Sequence, residues 1–282
     1  MNPAAGRRRR FAEALSAWSA AGRTTAVVET QRRGDAERLA REAAASGVGL
    51  VLVGGGDGTV NEVINGLADS PRPPALGVLP LGTANVLARE LGLPLGPAAA
   101  ATALATARSR KVHLGLVNGR RFVMMAGVGF DAQVVAAVDP EAKRRFGRLA
   151  YAATTADLWA RGRNARYRVQ TGDTALEVGS VIVANGRHYA GGFVACPTAD
   201  LSRPELSLCL LNSSTRPQVL ATALALGIGR IGWAPGVSHL SAPMLHVDGP
   251  ADEPVQADGD IVGTLPATFS VAPETLRMLT GS

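Results

Sequence analysis

Leu50-Val51-Leu52-Val53-Gly54-Gly55-Gly56-Asp57-Gly58-Thr59-Val60-Asn61-Glu62-Val63 decides how the rest of the chain is read. Its four leading apolar residues read as a buried strand, glycines at 54, 55, 56 and 58 make a loop, and Thr59 opens a helical pattern carried by Val60, Val63, Ile64 and Leu67. A strand, a glycine loop and a helix start in that order let the backbone approach an anion closely, with free N–H groups and the helix dipole favouring negative charge. Phosphate is the ligand such a loop suits. No Lys follows the glycines, so this is not a Walker sequence, and the glycines lack the spacing of the dinucleotide fingerprint. Asp57 is the odd member. A carboxylate in a phosphate cradle repels its ligand unless it holds Mg²⁺, orients donors or faces away.

Upstream, Asn2-Pro3 and Gly6 read as a turn, followed by Arg7 to Arg10 and a helical pattern with Phe11, Leu15 and Trp18. Thr25 to Thr30 reads as a short strand, Gly34-Asp35 as the start of a helix with Leu39 and Ala43 inward, and Val48 to Val53 as the strand entering the glycine loop. Downstream come the connector Ser70 to Pro74, a strand at Ala75 to Leu79, the polar loop Pro80-Leu81-Gly82-Thr83-Ala84-Asn85 and a helix over Val86 to Leu91. Strand and helix alternate, which predicts a doubly wound α/β domain over 1–110. Its two loops both lie at carboxyl ends of strands, where open α/β sheets collect ligands. On its own, the second loop reads equally as a Gly turn with an Asn85 cap.

From Lys111 the pattern changes. Val112 to Val117, Asn118-Gly119 and Phe122 to Ala126 form a hairpin signal, because Asn-Gly suits a type I′ turn. Strands are expected near Tyr167 to Thr171, Val178 to Ala184, Phe193 to Ala195, Leu206 to Leu211, Met244 to Val247 and Ala267 to Val271. They predict a sandwich-like β-rich domain over 111–282, interrupted by a helix from about Glu141 to Arg161, with the C-terminal tail a candidate to pack back on the first domain. The cations Lys143, Arg144, Arg145 and Arg148, with Arg161, Arg163 and Arg166, bracket that helix and read first as a solvated face, second as a contact for anionic headgroups. Val219 to Ile228, followed by Arg230 and Trp233, reads first as a core helix and second as an interfacial or substrate-groove helix.

At 282 residues, 46% hydrophobic and 18% charged, the chain is long enough for two folded domains. A formal net charge of +6, almost all of it Arg, suits nucleic acid, an anionic membrane or phosphorylated ligands alike. Cys196 and Cys209 stand in apolar strand-like runs and read as buried thiols in a reducing cytosol, and neither Cys nor His spacing suggests zinc. No apolar run reaches a membrane-spanning length of about 18 residues.

Gly55-Gly56-Asp57-Gly58-Thr59 with Asn61-Glu62, then Thr83 and Asn85, then Asp258-Gly259-Asp260, resemble in order three motifs of the superfamily of diacylglycerol kinases, sphingosine kinases and bacterial lipid kinases, to which NAD kinases are distantly related. Alone, Asp258-Gly259 is an ordinary hairpin turn. The resemblance extends to Gly127 to Ala132, Asn185-Gly186, Gly191-Gly192 and Leu265-Pro266, and so spans essentially the whole chain. It implies an NAD kinase-like α/β nucleotide domain, a β-sandwich-like second domain and an active site in the cleft between them.

The implied activity is ATP-dependent phosphorylation of a lipid hydroxyl, with Mg²⁺. Thr30, Gly55, Gly56, Gly58, Thr59, Asn61, Glu62, Thr83 and Asn85 would lie at the nucleotide. Asp57 would organise Mg²⁺ and water, and Asp260 would act as general base. The implied partners are a lipid substrate and an anionic membrane surface rather than nucleic acid, at the cytoplasmic face; a homodimer stays open. The alternatives are a catalytically silent lipid- or nucleotide-binding protein and an NAD kinase.

Two departures stand out. Arg203 occupies the position of an Asp that binds a structural Mg²⁺ in bacterial relatives, so no metal site is expected there. Asp260 replaces the commoner Glu, shorter by one methylene. The resemblance also implies an apolar strand running into the Asn-Pro turn. Here Asn2-Pro3 follows Met1 directly, so either Met1 is not the natural start or an open slot, or a substitute segment, lies beside the Val48 to Val53 strand.

Overall fold

The computed structural model describes residues 3–139, 153–155, 157–158, 165–212 and 216–281. The chain divides into two units, Met1–Val112 with Glu274–Ser282, and His113–Pro273.

In the first unit, helices α1 (Pro3–Ala20) and α2 (Asp35–Ala45) precede strand β1 (Leu50–Gly55), helix α3 (Asp57–Ala68), strand β2 (Ala75–Pro80) and helices α4 (Val86–Glu90) and α5 (Pro97–Thr106). β1 and β2 run parallel in register from Leu50↔Ala75 to Gly55↔Pro80, so both glycine-bearing loops leave the sheet at the same end. The helices cover it: α2 packs on α3, α1 on α5, α3 on β1 and α5 on β2. Helix α2 buries Ala36, Ala40 and Ala44, leaving the predicted Leu39 and Ala43 half-buried at the edges of that face. Three alanines at i, i+4 and i+8 let the two helix backbones approach closely.

Thr25 to Thr30 is not a strand. Its residues are exposed, Val27 and Val28 among them, and no ladder holds them. The physical reason is the missing neighbour. Among the described residues β1 pairs only with β2, leaving its other edge open, and an extended segment with no partner for its N–H and C=O groups does not persist as a strand.

The second unit begins within β3 (Ser109–Val117), which turns into β4 (Arg120–Phe122) through Asn118 (φ 49°) and Gly119 (φ 74°), both in the left-handed region that a type I′ turn requires. It continues with β5 (Met125–Val128), helix α6 (Phe130–Ala137), β6 (Tyr167–Thr171), β7 (Thr174–Val178), β8 (Ser180–Ala184), β9 (His188–Tyr189), β10 (Phe193–Val194) and β11 (Leu206–Leu211). Helix α7 (Arg216–Gly227), a 3₁₀ turn at Ile231–Trp233, β12 (Val237–Ala242), β13 (Met244–Asp248), β14 (Pro254–Ala257), β15 (Asp260–Thr264) and β16 (Ala267–Leu279) complete it. The last strand continues into the first unit, where Met278 pairs parallel with Leu76.

One sheet of this unit has the order β12-β11-β8-β5-β14-β15, and the other runs β16-β13-β6-β7. Their pairings within the unit are antiparallel. Residues two apart send side chains to one face, so Val181 and Val183 of β8 and Leu206, Leu208 and Leu210 of β11 meet Tyr167, Val169, Leu245, Val247 and Phe269 of the second sheet in one core. Cys196 and Cys209 are buried and free. Of the expected helix at 141–161, only 153–155 and 157–158 are described, and these are helical; the cations from Lys143 to Arg163 lie outside the described residues. Among the described residues no helix is long and apolar enough to cross a membrane.

Candidate functional site

The first unit brings its two predicted loops into direct contact. Helix α3 starts two residues earlier than its apolar pattern suggests, at Asp57, with Gly56 extended at its N-cap (φ −92°, ψ 180°). A Cβ on Gly82 would lie 2.5 Å from the Cα of Gly56 and 2.8 Å from Asn85 Oδ1, and a Cβ on Gly56 would lie 3.2 Å from the Cα of Gly82. Backbone touches backbone there. Around Gly58, in contrast, an added Cβ would meet nothing within 4 Å, so the first turn of α3 keeps an approachable main chain.

Polar side chains fasten this pair of loops. Asn85 takes the left-handed conformation (φ 49°, ψ 51°); its Oδ1 accepts the Gly82 N–H at 2.9 Å while its Nδ2 donates to the Gly82 carbonyl at 3.0 Å. Asp57 Oδ1 accepts the Val86 N–H at 2.6 Å, and the N–H groups of Asn85 and Leu87 also favour its charge. Burial is the larger effect and pushes the carboxyl above the ordinary carboxylate range, with these backbone donors opposing it. Of the three roles open to Asp57, orienting donors is the one its geometry serves. From α1, Arg10 donates to the Pro80 carbonyl at 3.2 Å and the Phe11 ring lies against Gly54. Neither residue is singled out by loop motifs, although the Arg7 to Arg10 run carries the signal.

The remaining predicted nucleotide residues separate. Thr83 is exposed and Thr59 half-buried at the paired loops. Gly55 packs on Thr59, whose side chain a Cβ there would meet at 2.7 Å. Asn61 is buried one turn into α3, where Asn65 Nδ2 donates to its Oδ1 at 3.2 Å and to its carbonyl at 2.9 Å. Glu62 turns toward α2, its Oε2 accepting the Ala36 N–H at 3.2 Å, which is a cap for that helix rather than a loop contact. Thr30 sits in the exposed segment that forms no strand.

These contacts separate two glycines experimentally. Gly82→Ala drives a Cβ into the Gly56 backbone and is expected to lower stability by roughly 1–3 kcal/mol, read as a drop in Tm. Gly58→Ala meets no neighbour and puts a better helix former inside α3, so Tm should rise slightly, by the equivalent of up to about 1 kcal/mol, while a methyl beside the expected phosphate should raise KM for the phosphate-bearing substrate roughly tenfold. Equal KM values for Gly58→Ala and the parent protein would remove Gly58 from the phosphate path.

The second unit holds the third motif. Asp258 (φ 46°) and Gly259 (φ 84°) form the two-residue turn between β14 and β15, so the ordinary hairpin reading is correct as geometry. Yet the Asp258 carboxylate is engaged, accepting the N–H groups of Val123 at 2.8 Å and of Met124 and Met125 at 3.0 Å each. Asn185 holds the same segment from its carbonyl side, donating to Val123 O at 2.9 Å and, from its backbone, to Met124 O at 2.8 Å. Gly259 N–H donates to Gln256 Oε1 at 3.0 Å, Gln256 Nε2 donates to Asp131 Oδ2 at 2.6 Å, and the Tyr189 hydroxyl donates to Asp131 Oδ1. Desolvation pushes the Asp131 carboxyl up, while Tyr189 and Gln256 oppose the rise. Asp260 follows as the first residue of β15, half-buried. The sequence signals for this Tyr189-Asp131-Gln256 network are the Gly127 to Ala132 stretch that contains Asp131 and a polar Gln in an apolar strand run.

Arg203 forms ion pairs with Glu205 at 3.4 Å and Asp200 at 4.0 Å, and Asp200 Oδ1 accepts both the N–H and the hydroxyl of Ser202. An internal cation thus stands beside the carboxylates that a metal would need. Mn²⁺-soaked crystals are expected to show no anomalous peak beside Arg203, and a peak there would mean that the segment is aligned wrongly.

Residues 1–117 match the diacylglycerol kinase catalytic domain family, and residues 124–280 match the YegS C-terminal NAD kinase beta sandwich-like domain. The chain belongs to the YegS and diacylglycerol kinase family of lipid kinases. It is 36% identical over 272 residues to a Pseudomonas aeruginosa protein named probable lipid kinase YegS-like, covering 94% of this chain and 87% of the relative. Identity to a diacylglycerol kinase of Bacillus subtilis strain 168 is 30% over 275 residues, with 95% and 90% covered. The crystal structure of a Bacillus anthracis diacylglycerol kinase superposes with a TM-score of 0.81 at 25% identity, over 97% of this chain and 92% of that one. As a lipid kinase by family, the chain is a transferase with an α/β domain and a β-rich C-terminal domain.

Proposed function

We propose that this lipid kinase transfers the γ-phosphate of ATP to a hydroxyl of a lipid such as a diacylglycerol or a sphingoid base, working from the cytoplasm at the surface of an anionic membrane. The contact between Gly56 and Gly82, with Gly58 left open at the start of α3, supports this reading most directly. The N-terminus of the helix running from Asp57 to Ala68 offers N–H groups to phosphate oxygens, and the Gly82 backbone packed against Gly56 excludes water from one side of them. Thr59 and Thr83 add hydroxyl donors. Asp57 acts as a positioning residue, holding the second loop through Val86. Asp260 takes the proton of the acceptor hydroxyl, and Asp258 fixes the turn that carries it.

Mg²⁺ on the phosphates would neutralise charge during transfer. Asp57 would not hold such an ion alone: its Oδ1 accepts a backbone N–H, and among the described residues no group of three metal-ligating side chains is gathered. The residues therefore suit a metal carried in on the nucleotide with its own waters.

Incubation of the purified protein with γ-labelled ATP, Mg²⁺, NAD and a total lipid extract, followed by chromatography of both the lipid and the aqueous phases, should place the label in one phosphorylated lipid. Label in NADP, or in no product at all, would overturn the proposal in favour of an NAD kinase or a silent binding protein.

A further inference from the structure

Val219 to Ile228 is not a core helix. Along α7 and the turn that ends it, Leu220, Leu224 and Ile228 are 49%, 63% and 72% exposed, a stripe at i, i+4 and i+8 on one helix face. Positions 218, 221, 222 and 225 are half-buried on the other. Gly229 (φ 71°) closes the helix, its N–H bonded to Leu226 O while Arg230 N–H reaches Ala225 O at 2.7 Å. That left-handed cap fixes where Arg230 emerges. Its guanidinium then lies 4.3 Å from the centroid of the Trp233 ring, and Trp233 is 73% exposed on the 3₁₀ turn.

We infer that this stripe, with Trp233 and Arg230, is the surface by which the protein docks onto an anionic bilayer; the inference rests on the lipid kinase reading and names the face that meets the membrane. Three aliphatic side chains and a Trp facing water side by side form the kind of patch that soluble surfaces avoid unless something covers it. Charge selects the occupant. Between Glu205 and Asp248 the sequence contains no Asp or Glu, so nothing acidic in that segment repels lipid phosphates, and Arg230 supplies a cation at the rim of the apolar stripe. A Trp ring with an Arg stacked on it suits the headgroup boundary, apolar on one side and hydrogen-bonding on the other, while the aliphatic stripe enters the acyl region. Insertion of this kind brings the enzyme to an acceptor whose acyl chains confine it to the bilayer.

The test is sedimentation of the 282-residue protein with phosphatidylcholine vesicles, with and without about 30% phosphatidylglycerol. The parent should pellet with the anionic vesicles, Leu224→Ser/Ile228→Ser should bind more than about tenfold more weakly, and Arg230→Gln about fivefold more weakly. Brominated acyl chains should quench emission that disappears in Trp233→Phe. Unchanged sedimentation of Leu224→Ser/Ile228→Ser would overturn the inference. So would a concentration-dependent dimer in sedimentation velocity that this variant abolishes, since a second copy would then be the occupant. Phosphorylation of dioctanoylglycerol in detergent micelles separates the surface from the chemistry: the same variant should retain it there. A parent protein that pellets as expected but phosphorylates no lipid would sustain the docking surface and reject the kinase reading.

Discussion

Asp260→Asn lowers kcat by roughly 10²–10⁴ with a smaller change in KM, because an amide cannot accept the proton that the lipid hydroxyl must lose. Asp260 stands half-buried at the start of β15, and Asn keeps its size and shape, so the change in Tm should be small beside the change in kcat. The neighbouring carboxylate makes the control. Asp258 accepts three backbone N–H groups from Val123, Met124 and Met125, so Asp258→Ala strands three donors and should lose about 3 kcal/mol or more of stability. Two carboxylates flanking one glycine therefore separate into a chemical role and a structural one, read by kinetics and by thermal melting. Full activity of Asp260→Asn on the true lipid would remove the general base from Asp260.

Asp57→Asn is expected to lose activity roughly 10²-fold while remaining folded, the scale of loss that accompanies misplacement of reacting groups by about 1 Å. The carboxylate organises the N–H groups at 85–87, and an amide offers one acceptor oxygen and turns a competing NH₂ toward them. Stability should respond in the opposite sense. A folded-state pKa above the unfolded 3.8 means that the native protein binds this proton more tightly, so the contribution of Asp57 to stability falls as pH rises from 3.8 through the folded value. Asn has no such dependence, and urea unfolding of Asp57→Asn should give a flatter stability profile across that window. A variant with parent activity would show that the carboxylate does not position the second loop for the reaction, and a parent pH profile would show that burial does not raise its pKa.

Residue pattern alone made the two loops, the Asn118-Gly119 hairpin and most of the β-strands legible. Glycines and left-handed Asn act through local backbone sterics, and period-2 apolar runs act through the pleat, so neither depends on distant residues. Three things needed the folded chain. Thr25 to Thr30 has strand-forming residues and is no strand, because a ladder needs a partner and among the described residues this segment pairs with none, while one edge of β1 stays open. Val219 to Ile228 has core-like composition and an exposed stripe, because burial depends on what packs against a helix and not on the helix itself.

The third is the division of labour among the polar residues. The motifs named Asp57, Glu62, Asp258 and Asp260 alike, yet Glu62 caps α2, Asp258 pins the segment at 123–125, Asp57 orders the second loop, and Asp260 opens β15 half-buried. A carboxylate takes whichever N–H groups the fold brings within hydrogen-bond distance, and those donors come from residues up to 135 positions away. Sequence spacing sets the local conformation of each loop. Which N–H groups each carboxylate meets, and so which part of the fold it fastens, is decided only when the distant strands and helices pack.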